Sequence, residues 1–172
     1  MKKVFFVLLL AAVVAGGAFA QQGFGIGAFG TVGGSFSSSA VGYGGALSLK
    51  APTMPMYWGL SFGASDNYLR IGVIADYPIV RGTLVPNAGL GWYVHGGVYG
   101  RFVTASKYSA LGFGARLPIG LNLRPPSVRF LEVFLAVVPT IGAYTGNFGD
   151  GNFGFESGWS TELGFRIWLS YL

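Results

Sequence analysis

Between residues 162 and 171 the chain alternates without a break: Leu163, Phe165, Ile167, Leu169 and Tyr171 fall on one parity, Glu162, Gly164, Arg166, Trp168 and Ser170 on the other. Period two is the repeat of a strand, whose successive side chains point to opposite faces, so this segment has one apolar face and one charged face. In a soluble protein the charged face would be the outer one. Yet only 10% of the 172 residues are charged and 52% are hydrophobic, against about 25% charged in an ordinary soluble domain. So few charges cannot solvate an outer surface, which argues against a soluble, lipocalin-like barrel with its apolar face inward. The apolar face is expected to meet lipid.

No continuous apolar run of about 20 residues that could cross a membrane as a helix occurs beyond residue 20. Glycine, 30 residues in all, and polar residues interrupt every stretch. Residues 1–20 read as a cleaved secretory signal, with Lys2 and Lys3 as the positive start, an apolar core over 4–14 and the small-x-small pattern of Ala18, Phe19 and Ala20. The mature domain is expected to span 21–172. The chain has no Cys, which excludes a disulfide framework and a lipid anchor on cysteine. Its net charge of +5 falls to +3 without Lys2 and Lys3, too modest for a nucleic-acid binder.

Seven further segments alternate in the same way: 24–32, 41–50, 56–64, 68–77, 84–95, 111–121 and 129–141. In the clearest, Met56, Trp58, Leu60, Phe62 and Ala64 oppose Tyr57, Gly59, Ser61 and Gly63. A strand tilted about 40° across an apolar band about 25 Å tall needs roughly 10 residues, which these segments match. Eight such strands closing on themselves leave no free edge in lipid, where each unpaired backbone group costs several kcal/mol. The expected fold is all-β, an eight-stranded antiparallel up-and-down transmembrane barrel.

The charges test this register. Lys50, Arg70, Asp76, Arg116, Glu132, Glu162 and Arg166 all take the parity opposite to the apolar stripe. A basic residue on the lipid face would cost about 2–4 kcal/mol at mid-membrane, which explains the exclusion. Glycines such as Gly63, Gly72, Gly112, Gly114 and Gly164 share the charged parity. An eight-stranded bore is just wide enough to be filled by side chains, so small residues must make room for long ones. Buried charges need partners, and Arg70, Asp76, Arg116, Glu132, Glu162 and Arg166 are expected to form a lumenal network in which the two glutamates bridge arginines, with Lys50 near the periplasmic end.

With the N-terminus in the periplasm, short proline-bearing turns are expected at 50–55, 77–82 and 123–128, and external loops at 33–40, 65–67, 96–109 and 142–158. The last two loops are the long ones. They carry Tyr99, Arg101, Phe102, Lys107, Tyr108, Phe148, Phe153 and Phe155 as candidates for contact with an extracellular protein, since aromatic residues and arginine are the usual anchors of such contacts. The same aromatics would fit equally well on strands that protrude beyond the membrane.

With signal, strand count, glycine-lined interior and aromatic-ended last strand in place, the chain resembles the OmpA, OmpX and OmpW superfamily of small outer-membrane barrels. The stretch Gly114 to Leu121, a proline turn, then Leu131 to Pro139 looks like the sixth-to-seventh strand hairpin of small spirochaetal outer-membrane barrels. The resemblance implies residence in the cell outer membrane, contact with its lipid, assembly by the barrel-assembly machinery and a plugged bore. It also implies a structural or adhesive role through external loops that meet host proteins. The family's terminal aromatic is displaced here, because Tyr171 is penultimate and Leu172 ends the chain. An OmpW-like passive route for small hydrophobic solutes is the alternative.

Enzymatic members of such barrels use a His with a Ser and an acid. The one histidine, His95, is followed by Gly96 and Gly97, so the His-x-Ser spacing is absent, and no enzyme activity is expected. Asn147, Asp150 and Asn152 fall short of a calcium loop, and the glycine-rich stretch 23–34 lacks the Gly-Lys-Ser/Thr ending of a phosphate loop. No metal or cofactor is expected.

Overall fold

The structure, a computed structural model, describes residues 23–37, 41–65, 68–105, 108–146 and 153–169. The expected signal at 1–20 and the terminal Tyr171 and Leu172 lie outside them. The described elements are β1 (Gly25–Ser35), β2 (Val41–Lys50), β3 (Tyr57–Ser65), β4 (Tyr68–Val85), β5 (Leu90–Ala105), β6 (Tyr108–Arg116), β7 (Ile119–Leu123), β8 (Leu131–Gly146) and β9 (Phe153–Trp168). Every pairing is antiparallel, and the order β4-β3-β2-β1-β9-β8-β6-β5 closes through β4–β5, with β7 also between β5 and β8.

β6 and β7 are one stave broken at Leu117 and Pro118, so the ring has eight staves. Pro118 has no N–H to give a ladder, but its carbonyl accepts from His95 N at 2.8 Å and Leu117 N donates to Pro139 O at 3.0 Å, which ties the break to both neighbours.

The expected parities hold in all eight staves. Leu47, Leu60, Ile71, Leu121, Leu135 and Leu163 are exposed on the outer face, while Lys50, Asp76, Arg116, Glu132, Glu162 and Arg166 are buried on the inner one. The core lies inside the ring, where Phe29, Ile74, Tyr93 and Phe134 pack together; the Phe29 and Phe134 rings meet edge to face at 5.8 Å. A closed antiparallel ring whose polar groups face inward and whose apolar groups face outward is a barrel built for a lipid surround.

Two expectations about connections need correction. The stretch 77–82 is no turn: β4 runs through it to Val85, Ile79 bulging out between the pairs Pro78↔His95 and Val80↔Val94. A proline at a bulge loses no ladder bond, so Pro78 does not end the strand. The real turn is the single 3-10 turn Pro86–Ala88, closed by Gly89 in the left-handed region at φ 70°. A Cβ there would also fall 1.8 Å from Arg124 O, so this position requires glycine on two counts.

The second correction concerns the long loops. β5 reaches Ala105 and β6 starts at Tyr108, while β8 reaches Gly146 and β9 starts at Phe153. Most of 96–109 and 142–158 is therefore strand.

Candidate functional site

The interior divides into two halves. The proximal half lies toward the connections 51–56, 86–89 and 124–130, and the distal half toward 36–40, 66–67, 106–107 and 147–152.

In the proximal half Glu132 is the hub. Its Oε2 accepts from Trp168 Nε1 at 2.7 Å and Arg166 Nη1 at 3.1 Å and lies 3.4 Å from Arg124 Nη2, while Oε1 accepts from Asn122 Nδ2 at 3.0 Å. Arg166 also donates to Ser48 Oγ from Nε at 3.3 Å and from Nη2 at 3.2 Å, and its guanidinium lies 4.5 Å from the Tyr57 ring and 4.8 Å from the Phe134 ring. The cation is thus stacked as well as paired, a use of the planar guanidinium that lysine could not copy. Lys50 closes the rim, donating from Nζ to the carbonyls of Ala51 and Met54.

Between the halves sits Arg116. Its Nη2 reaches both oxygens of Glu162, at 2.8 and 2.9 Å, and its Nε lies 3.0 Å from Asp76 Oδ1. Cross-strand Gly97 makes the room: a Cβ there would lie 2.0 Å from Asp76 Oδ1 and 3.0 Å from Arg116 Cγ.

In the distal half Glu156 accepts from Tyr99 Oη at 2.6 Å and from Arg101 Nη2. Around them opens a cavity of about 400 Å³, floored by Phe29, Ile74, Arg116 and Glu162 and lined higher up by Tyr68 and Arg70.

The placement of the candidates is mixed. Asp76 and Glu162 share Arg116, whereas Glu132 takes Arg166; Arg70 stands apart in the distal cavity. Tyr99 and Arg101 do not sit in a loop; they line the distal cavity from β5, while Phe102 faces outward on the same strand. Phe153 and Phe155 are exposed on β9, and Tyr108 begins β6. Lys107 and Phe148 lie outside the described residues.

Asn122, Arg124 and Glu156 were not singled out from the sequence. The signal was present for Glu156, since the parity of 162–171 continues backward through Ser160, Gly158, Glu156 and Gly154. His95 is stacked inside the barrel, its ring centroid 4.5 Å from that of Tyr93 and 5.1 Å from that of Tyr57. Among the described residues no group of three or more His, Cys, Asp or Glu could hold a metal ion.

No protein-family model matches the chain, and no curated protein matches it. Two solved structures are similar in outline. Neisserial surface protein A aligns at 13% identity with a TM-score of 0.48, over 85% of this chain and 97% of its own. The N-terminal β-barrel domain of OprF from Pseudomonas aeruginosa aligns at 16% identity with a TM-score of 0.45, over 84% of this chain and 99% of its own.

Proposed function

We propose that the chain is an integral outer-membrane barrel with a closed bore, anchored by its apolar wall and acting through the distal end that it presents to the cell exterior. The observation that carries this reading is the opposition of the two faces: outward Leu, Ile, Val and Phe on every stave, inward ion pairs across the lumen. An apolar exterior of this extent has no place in water, and a closed ring is one of the two architectures that lipid permits. Cleavage of 1–20 during export, assembly by the barrel-assembly machinery and an adhesive or structural role at the distal end belong to the same reading. Phe153 and Phe155, the latter 83% exposed, are the aromatic groups it assigns to contact with extracellular protein or the membrane interface.

A conducting path for small solutes is the competing role. Against it stand Arg116 with Asp76 and Glu162, and below them Arg166 with Glu132, all buried and ion-paired, together with the packed rings of Phe29 and Phe134. We assign no catalytic role to His95, whose ring is held between two tyrosines. Planar-bilayer recording of the refolded protein tests the closed bore. The expected trace is flat, and large, stable single-channel steps would replace this reading with the conducting one.

A further inference from the structure

The inner arginines are not all treated alike. Arg101, Arg116, Arg124 and Arg166 each have a carboxylate within ion-pairing distance. Arg70 has none among the described residues, although it lines the distal cavity. Its register makes this costly. Arg70 pairs with Val103 and Gly72 with Arg101, so Arg70 and Arg101 are diagonal neighbours on one face of adjacent strands, about 7–8 Å apart by backbone geometry. The carboxylate nearest to serving both, Glu156, is already occupied on both oxygens, by Tyr99 Oη and Arg101 Nη2. The floor offers no substitute, because both oxygens of Glu162 are held by Arg116. Two like charges therefore face one cavity with a single anion between them.

The local sequence holds Arg70 in place. Directly across the ladder stands Gly63, where a Cβ would lie 2.8 Å from Arg70 Nη2, so the glycine leaves room for the guanidinium to lie along the wall. Arg70 is only half-buried, so its donors face an accessible space of about 400 Å³, within the size range of small-molecule sites. Among apolar lining residues such as Phe29 and Ile74, the hydroxyls of Thr31, Ser61, Ser160 and Tyr144 offer partners to a hydroxyl-bearing body.

We propose that this distal cavity binds a small water-soluble organic anion, a phosphate ester or carboxylate about the size of a monosaccharide, with Arg70 supplying the two-pronged contact to its charged group. Guanidinium and phosphate or carboxylate match in fork geometry, which makes arginine the usual choice for such recognition. The inference rests on the closed-barrel reading above, and its test reports on the two separately.

The test is calorimetric titration of the refolded barrel in neutral detergent with glucose 6-phosphate, glucuronate and uncharged glucose, with heat-dependent gel mobility as the independent measure of folding. The expected result is saturable binding of the two anions at millimolar concentrations or below and none of glucose. Arg70→Gln should weaken anion binding about tenfold or more, the scale of one charge-assisted hydrogen bond, and Arg70→Lys by less. Arg129→Gln, in an exposed proximal turn, should leave it unchanged. The anion-over-glucose preference of the unmodified protein stands as evidence even if Arg70→Gln fails to fold. Absence of saturable anion binding by a protein whose gel mobility shows it folded would overturn the proposal, as would equal binding by a folded Arg70→Gln. A protein that never acquires folded mobility would instead count against the barrel reading.

Discussion

The proximal and distal halves of the lumen are built from the same residue types and reach opposite ends. Below Arg116, Glu132 collects donors from four side chains, and aromatic rings cover the guanidinium of Arg166. Above it, one carboxylate serves the region of two arginines around an open cavity. The difference is one of packing, since in each half a single carboxylate stands against two arginines. Where both arginines reach the one carboxylate and rings fill the gaps, the bore is a plug; where one arginine is left outside its reach around open space, it is a cup.

The largest test of this contrast is Glu132→Ala. It would leave Arg166, buried between Tyr57 and Phe134, without its counter-charge, and breaking one partner of a buried pair costs about 3–5 kcal/mol. Urea unfolding in lipid vesicles, followed by tryptophan fluorescence, should show a loss of that order, with Trp168 itself losing the acceptor of its indole N–H. A loss below 1 kcal/mol would mean that the proximal half is no better satisfied than the distal one, and the contrast would fail.

The outer wall gives the next test. Leu135 lies in the apolar belt with Leu121 on one side and Leu163 on the other, whereas Phe155 stands near the distal end of β9 beside Ala143. Arginine on a lipid face costs about 2–4 kcal/mol at mid-membrane and about 0–1 near an interface. Leu135→Arg should therefore destabilise the barrel in vesicles by more than Phe155→Arg does. Equal penalties would place the distal end within the hydrocarbon layer, and the cup would then not open to water.

The same contrast explains what the sequence revealed. Parity was legible wherever one face was apolar enough to exclude charge, so the inner position of Lys50, Asp76, Arg116, Glu132, Glu162 and Arg166 could be read before any coordinates. Strand length was less legible. Pro78 reads as a terminator, yet a bulge at Ile79 absorbs it and β4 runs on to Val85. In the distal reaches of β5 the outer face offers Gly100 while the inner one carries Tyr99 and Arg101, so the pattern looks like a polar loop. It is a strand because its ladders to β4 and β6 continue to Ala105. Partner choice was the least legible. That Arg116 rather than Arg166 would take Glu162 depends on how staves far apart in sequence meet across the bore, and single-strand parity carries no such information.

The smallest effect is expected at the distal rim, where the Arg101–Glu156 pair is part-exposed, with side chains 29% and 19% accessible. Solvent-screened pairs of this kind contribute about 0.2–1 kcal/mol, so a double-mutant cycle with Arg101→Gln and Glu156→Gln should return a coupling within that range. The cycle separates stability from charge balance. Glu156→Gln removes the one carboxylate near Arg70 and Arg101, so the cup gains a full unit of unbalanced positive charge at little cost to the fold. The same variant should therefore bind glucose 6-phosphate more tightly than the unmodified protein. Tighter binding in a variant no more stable than its parent identifies the positive charge of Arg70 and Arg101, rather than any looseness of the distal strands, as what draws an anion into the cup.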